Sequence, residues 1–416
     1  MRTHHIDAET EIRARIVKRG KIPFAEFMEI ALYHPWGGYY TSASAFGAAG
    51  DYFTSPAAHP IFGALIAVQL LGMWRALDSP ARFYVVEMGA GNGLLARDVI
   101  DYAECLPGAF AQSMRYIELD RYALMDTAVA PPADAARIVT DRIPLDGVIG
   151  CFISNEFVDS FPVHRFQTHV GGVSEVYVTL DEGSQLAETL DVPSTPALVQ
   201  RLRDIGQSLP DGFRGEVSIG IGSWIREVST ALERGFVITI DYGYTASELY
   251  AQERAGGTLQ TYYRHTQGGS PYRRIGRQDI TSHVDFSLVS SEGSEVGLRT
   301  LALVTQESFL RSMGFNGMAE RLRRQRLGSR EHQSNTMAML ELVKADGLGG
   351  FKVLVQERGT GIEDFSRLTP DGSLADIPRI PLLSDEHMPL MEGRYPHLAW
   401  EFTDLWPQGD EGRGEG

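Results

Sequence analysis

The sequence predicts an α/β fold: a doubly wound, Rossmann-like parallel sheet with an N-terminal helical cap and insertions. Two observations carry this. From residue 83 onward short apolar runs alternate with helical patterns, the signature of strand–helix–strand units. The runs are continuously apolar, as strands covered on both faces are. A third observation, a glycine-rich turn after the first run, puts a ligand site on this sheet.

Each element follows from local signals. Residues 7–19 read as an amphipathic helix stopped by Gly20, and Pro23 opens a second helix reaching Leu32. Residues 33–56, rich in glycine, serine and aromatics, read as an ordered loop, and residues 61–77 as an apolar helix. FYVVEM (83–88), MRYIEL (114–119), ARIVTD (136–141), VIGCFIS (148–154) and GFVITIDYG (235–243) are the expected strands. LLARDVIDYAE (94–104) and residues 122–130 are the helices between them. LALVTQESFLRSMGF (301–315) and residues 332–346 read as helices, and FKVLVQER (351–358) as a late strand.

The expected organisation is a cap over 1–77, a core over 78–180, a polar insertion over 181–215 and the fifth-strand region over 216–243. A substrate-side insertion over 244–300, the C-terminal core over 301–363 and a turn-rich tail over 364–416 complete it. Internal repeats are not evident.

Composition narrows the function. The formal charge of the 416 residues is 38 − 54 = −16, which argues against nucleic-acid and anionic-membrane partners and mildly favours a cationic substrate. Two cysteines, Cys105 and Cys151, form neither a disulfide framework nor a zinc-ligand spacing, so a reducing cytoplasm is expected. The N-terminus has no apolar signal-peptide core and carries acids among its arginines, and no run is long enough to span a bilayer.

The turn after FYVVEM reads Gly89, Ala90, Gly91, Asn92, Gly93. Leu94 stands where a dinucleotide fingerprint needs a glycine or alanine, no GK[ST] follows, and the loop has no base to meet phosphate. Instead Glu87 precedes it and Glu118 ends the next strand, followed by Leu119. A cationic nucleoside without phosphate suits this set, and S-adenosylmethionine (SAM) is such a ligand. Glycines let the backbone approach it, and an acid at the second strand end can accept the ribose hydroxyls. Asp141 either faces the adenine or caps a helix.

The run ISNEFVDSFPVHRF (153–166) follows the fourth strand and crowds Asn155, Glu156 and Asp159 together, with Glu175 further on. Methyl transfer is an in-line displacement governed by positioning, and carboxylates can hold a guanidinium and take its proton. Asn155 also lies on the cofactor side. The other reading of Asp159 and Glu175 is an ordinary capping or surface acid. His164 and His265 are bases, ligands or structural histidines. No histidine pair has metal-ligand spacing, so no metal is expected.

Several long segments together resemble the MidA family of class I SAM-dependent methyltransferases, which includes a mitochondrial complex I assembly factor that methylates protein arginine. They include RGKIPFAEFMEIALYHPWGGYY, GDYFTSPAAHPIFG, VVEMGAGNG, NEFVDSFPVHRF, IDYGY and GRQDITSHVDF. The resemblance implies a class I methyltransferase sheet and a GDYFTSP loop closing over SAM, making Thr54, Ser55 and Pro56 cofactor-side candidates. It implies a substrate pocket shaped by Asp279, Thr281, His283 and Asp285, whose acids can equally be loop anchors. The chain departs from the pattern at Ala57, Ala58 and His59, at Asn92 and at Asp120. N-methylation of a protein arginine is the implied reaction; a small-molecule acceptor and a non-catalytic SAM-binding assembly factor are the alternatives. A homodimer is compatible with the sequence.

Overall fold

The computed structural model describes residues 6–41, 54–122, 135–263, 266–369 and 379–387. Seven strands form the central sheet: β1 Phe83–Met88, β2 Met114–Asp120, β3 Ala135–Val139, β4 Val148–Asn155, β5 Leu232–Asp241, β6 Arg299–Thr305 and β7 Lys352–Arg358. Their order is β6-β7-β5-β4-β1-β2-β3. β1 to β5 are parallel, while β7 runs antiparallel between β5 and β6. The chain winds outward from β1 through β2 to β3, then returns to the other side of β1 as β4. The switch point is therefore between β1 and β4, where Met88 and Ser154 are paired partners.

The continuous apolar strands are explained by two cores. In β4 and β5, Cys151, Ile153, Phe236 and Ile238 face one cluster, while Phe152 and Val237 face the other. Six helices matter here: α1 Ala8–Arg19, α2 Phe24–Tyr33, α3 Ile61–Ala76, α4 Leu94–Ala103, α5 Gly220–Ala231 and α6 Phe286–Glu295. α3 and α4 cover the first face, α5 and α6 the second. Asp7 caps α1 through Thr10 N at 2.8 Å, and Gly20 ends it at φ 81°.

One reading of the sequence is corrected. LALVT is not helical: it lies in β6, paired with β7, and the helix begins only at Gln306. A short apolar run does not by itself separate strand from helix. The polar segment 181–215 is built into the fold. It supplies strand Leu186–Asp191 to a second, five-stranded sheet and also forms helix Pro196–Asp204. That sheet contains His164–His169, Gly172–Leu180, Arg214–Val217 and the short Ile22–Pro23, and α1 and α2 pack on it around Ile12, Phe27, Val163 and Val178. The expected insertion 244–300 holds short strands and α6. The expected helix at 122–130 and most of the loop before Thr54 lie outside the described residues.

Candidate functional site

The glycine turn bridges β1 and α4 at the carboxyl end of the sheet, the place where open α/β sheets take ligands. Gly89, Gly91 and Gly93 all have positive φ, 69°, 52° and 77°. Gly89 N donates to Leu119 O at 2.9 Å, and Asn92 Oδ1 accepts from Leu94 N at 3.2 Å, an Asx turn leading into the helix. Ala90 is buried. A Cβ on Gly93 would stand 2.8 Å from Oε1 of Glu118, so only glycine leaves that carboxylate open from the loop side.

Glu87 is buried and accepts from the Tyr116 hydroxyl at 2.8 Å; burial pushes its carboxyl up to about 8. Glu118 is also buried and is likewise raised by burial, with Arg137 opposing. Arg137 Nη1 lies 3.3 Å from Glu118 Oε2, and its other terminal nitrogen donates to the Gly91 carbonyl. Asp120 accepts from Gly91 N at 3.0 Å. Asp141 sits exposed just past β3.

Across the switch point β4 delivers Asn155 and Glu156. Glu156 has φ 49°, an unfavourable conformation for a non-glycine residue and one often found at functional sites. Its Oε1 accepts from Asn155 Nδ2 at 3.1 Å and from Ser55 N at 3.2 Å. Ser55 Oγ donates to Gln306 Oε1 at 3.0 Å, Thr54 caps the Ser55–Ala58 turn, and Pro56 is buried in it. The TSP segment is thereby joined to the end of β4. Burial, then Asp159, pushes Glu156 up to about 8; burial pushes Asp159 up to about 6.

Below them Asp241, the last residue of β5, accepts the backbone N–H groups of Phe157, Val158 and Asp159 at 3.2, 3.0 and 3.2 Å. It shapes the turn that carries Glu156 and Asp159. Burial, Asp159 and Glu156 raise Asp241, against the pull of those amides. Sequence reasoning quoted IDYGY without assigning Asp241 a role. Its signal is an acid at a core strand's carboxyl end, the same signal that marked Glu118. Arg137 and Tyr40 were also missed.

On the substrate side Tyr40 donates to Asp279 Oδ2 at 2.9 Å, and Asp279 is buried. His283 meets Tyr242 edge-to-face and Tyr244 at a tilt, with ring centroids at 5.2 and 5.3 Å, and burial lowers it to about 4, so it is neutral at neutral pH. Thr281 is buried beside it. Asp285 caps α6 through Leu288 N at 3.0 Å and pairs with Arg201 at 2.6 Å, which makes it an anchor.

Two candidates fall away from this cluster. Glu175 and His164 pair with each other at 2.7 Å within the second sheet, and Glu175 also accepts from Ser194 N. Both oxygens of Glu175 are thus engaged in holding that sheet, so the catalytic expectation for Glu175 and the substrate-binding one for His164 are corrected. His265 lies outside the described residues. Among the described residues no group of three His, Cys, Asp or Glu side chains could hold a metal, and no helix is long and apolar enough to cross a membrane.

The residues fit SAM on two observations. Glu118 Oε1 and Asn155 Oδ1 are buried acceptors without a partner, one on each side of the switch point. A cofactor with ribose hydroxyls and an ammonium group offers the donors they lack.

Comparison with known proteins agrees. The chain is 29% identical over 353 residues to the protein arginine methyltransferase NDUFAF7 homolog, mitochondrial, of Drosophila melanogaster, covering 76% of this chain and 77% of that one. It is 28% identical over 331 residues to the Rattus norvegicus protein arginine methyltransferase NDUFAF7, mitochondrial, covering 73% of each. A Burkholderia thailandensis protein crystallised with S-adenosyl-homocysteine superposes with a TM-score of 0.75 at 27% identity, covering 86% of this chain and 94% of that one. These relatives correct the location: the curated ones carry mitochondrial names, which points away from the cytoplasm. Two unbridged cysteines do not separate one reducing compartment from another. Residues 65–304 match the model of the Methyltransf_28 family, and the chain belongs to this MidA-like family of S-adenosyl-L-methionine-dependent methyltransferases.

Proposed function

We propose that this methyltransferase acts on an arginine side chain of a protein. The observation that carries the reading is the pair Glu156 and Asp159. Both are acids raised by burial, both lie on the turn held by Asp241, and that turn adjoins the glycine loop at the switch point. The names of the relatives support the same acceptor.

SAM supplies an electrophilic methyl group on a cationic sulfur. The chain's residues do the rest by position and charge. In this reading Glu87, Gly89 to Gly93, Glu118 with Leu119, Asp141 and Asn155 line the cofactor side, and Thr54, Ser55 and Pro56 close over it. A guanidinium brought against Glu156 and Asp159 favours their ionised forms. Two carboxylates can hold its N–H groups in a fixed orientation, with one nitrogen directed along the displacement line. SAM would supply the methyl to that nitrogen and leave as the neutral thioether; in this reading Glu156 would take the proton the nitrogen gives up. Tyr40, Asp279 and the neutral His283 line the approach.

The test is methyl incorporation from labelled SAM into a lysate, with the modified residue identified by mass spectrometry. Methylarginine in protein is the expected product. Label found only in small molecules would overturn the arginine reading. Glu156→Gln should lower kcat by about 10²- to 10⁴-fold while cofactor affinity changes little. In the wild type kcat/KM should rise with pH through about 8, as Glu156 ionises, and the variant should lose that rise. An unchanged profile would remove Glu156 from the reaction.

A further inference from the structure

We propose that Arg137 is a positioning residue for the cofactor ribose: it fixes one oxygen of Glu118 and the Gly91 carbonyl, so that the other oxygen of Glu118 is presented to the ribose hydroxyls.

The geometry has three parts. Arg137 comes from β3, the strand beside Glu118, with partners Arg137 and Glu118 directly opposite in the ladder. Its guanidinium spans Glu118 Oε2 at 3.3 Å, Asp120 Oδ2 at 3.6 Å and the Gly91 carbonyl. Glu118 is fully buried, so its charge needs a partner, and Arg137 is that partner. Yet Glu118 Oε1 remains buried with no partner at all. Buried acceptors are rarely left so without a reason. The direction of that atom supplies one: it faces Gly93, whose missing Cβ would lie 2.8 Å away. The free oxygen therefore points into the glycine loop, where the ribose would lie against the backbone.

The arrangement also explains Asp120. A second acid two residues after Glu118 would add repulsion at this strand end. Here Asp120 accepts the Gly91 N–H while Arg137 binds the Gly91 carbonyl, so the pair clamps the middle of the loop from both sides. The planar fork of arginine hydrogen-bonds Glu118 and the Gly91 carbonyl while its charge lies beside Asp120, a geometry lysine's single ammonium reproduces only in part.

Calorimetric titration tests the proposal with S-adenosylhomocysteine and with an analogue lacking both ribose hydroxyls. Wild-type protein should bind the analogue about ten- to a hundredfold more weakly, the usual range for hydrogen bonds to a charged acceptor. In Arg137→Met the parent ligand should bind at least tenfold more weakly, and removal of the hydroxyls should then cost less than about threefold. Arg137→Lys should restore part of the discrimination. If Arg137→Met does not fold, Arg137→Gln, which keeps a polar stem without charge, should show the same collapse of discrimination. The proposal is overturned if a folded Arg137 variant still separates the two ligands by the wild-type factor. A merely structural arginine would lower both affinities equally.

Discussion

At the scale of single residues, the candidate cluster was legible where a polar side chain stands at the end of a core strand. Glu87, Glu118, Asn155 and Glu156 stand in apolar surroundings where nothing else explains a polar group, and the structure brings them to one switch point. Arg137 was not legible, because a base inside AARIV reads as a solvent-facing residue of an edge strand; only the pairing of β3 with β2 sets it opposite Glu118. Glu175 was misread for the converse reason. Its nearness in sequence to Glu156 hid the fact that the chain had already left the core sheet at His164. The loop offers the sharpest prediction at this scale. Gly91 has φ 52°, where a β-branched residue is a genuine outlier, and both its backbone polar groups are engaged. Gly91→Val should reduce S-adenosylhomocysteine affinity by more than a hundredfold in calorimetry with the protein still folded by circular dichroism. Normal affinity in a folded variant would show that the ligand does not lie on this turn.

At the scale of elements, the strands of the core were legible because burial on both faces leaves a pure apolar run bounded by turns. β6 was not, because its run continues straight into helical residues at Gln306 with no glycine or proline between. The second sheet was hidden because its strands are short and half polar, and their partners include a two-residue segment of the cap far away in sequence. Helix packing carries a testable feature. α3 and α4 touch at Gly63, where an added Cβ would lie 2.4 Å from Asp98 Cβ. α4 starts at the glycine loop, so this contact sets the seat of the ligand turn. Gly63→Val should destabilise the fold by about 1–3 kcal/mol, the usual cost of overpacking, read as a lower urea midpoint. An unchanged midpoint would mean the two helices can separate freely, and the loop would lose its rigid support.

At the scale of the whole molecule, the gathering of raised acids at one end of the sheet sets the pH dependence of stability. Glu87 and Glu156 are raised to about 8 and Asp159 to about 6, while Glu118 and Asp241 are raised as well. In an unfolded chain such acids titrate near 4. Between these values the folded state holds more protons than the unfolded one, so stability must fall as pH rises. Two histidines act in the opposite sense. His59 and His283 are lowered to about 3 and about 4 by burial, so the unfolded chain binds their protons first and stability is lost as pH drops below about 6.5. Above that pH the histidines are neutral in both states and no longer contribute. The raised acids outnumber the two histidines, which offset only part of their effect below pH 6.5; the ligand-free protein should therefore lose stability from pH 6.5 to about 8, by at most about 1.4 kcal/mol per pH unit for each of Glu87 and Glu156. Urea midpoints across this range measure it. Combining Glu87→Gln with Glu156→Gln should flatten the decline, because amides at both positions carry no charge to bury. A decline that persists unaltered in the double variant would place the titrating groups elsewhere and would leave both acids ionised at neutral pH.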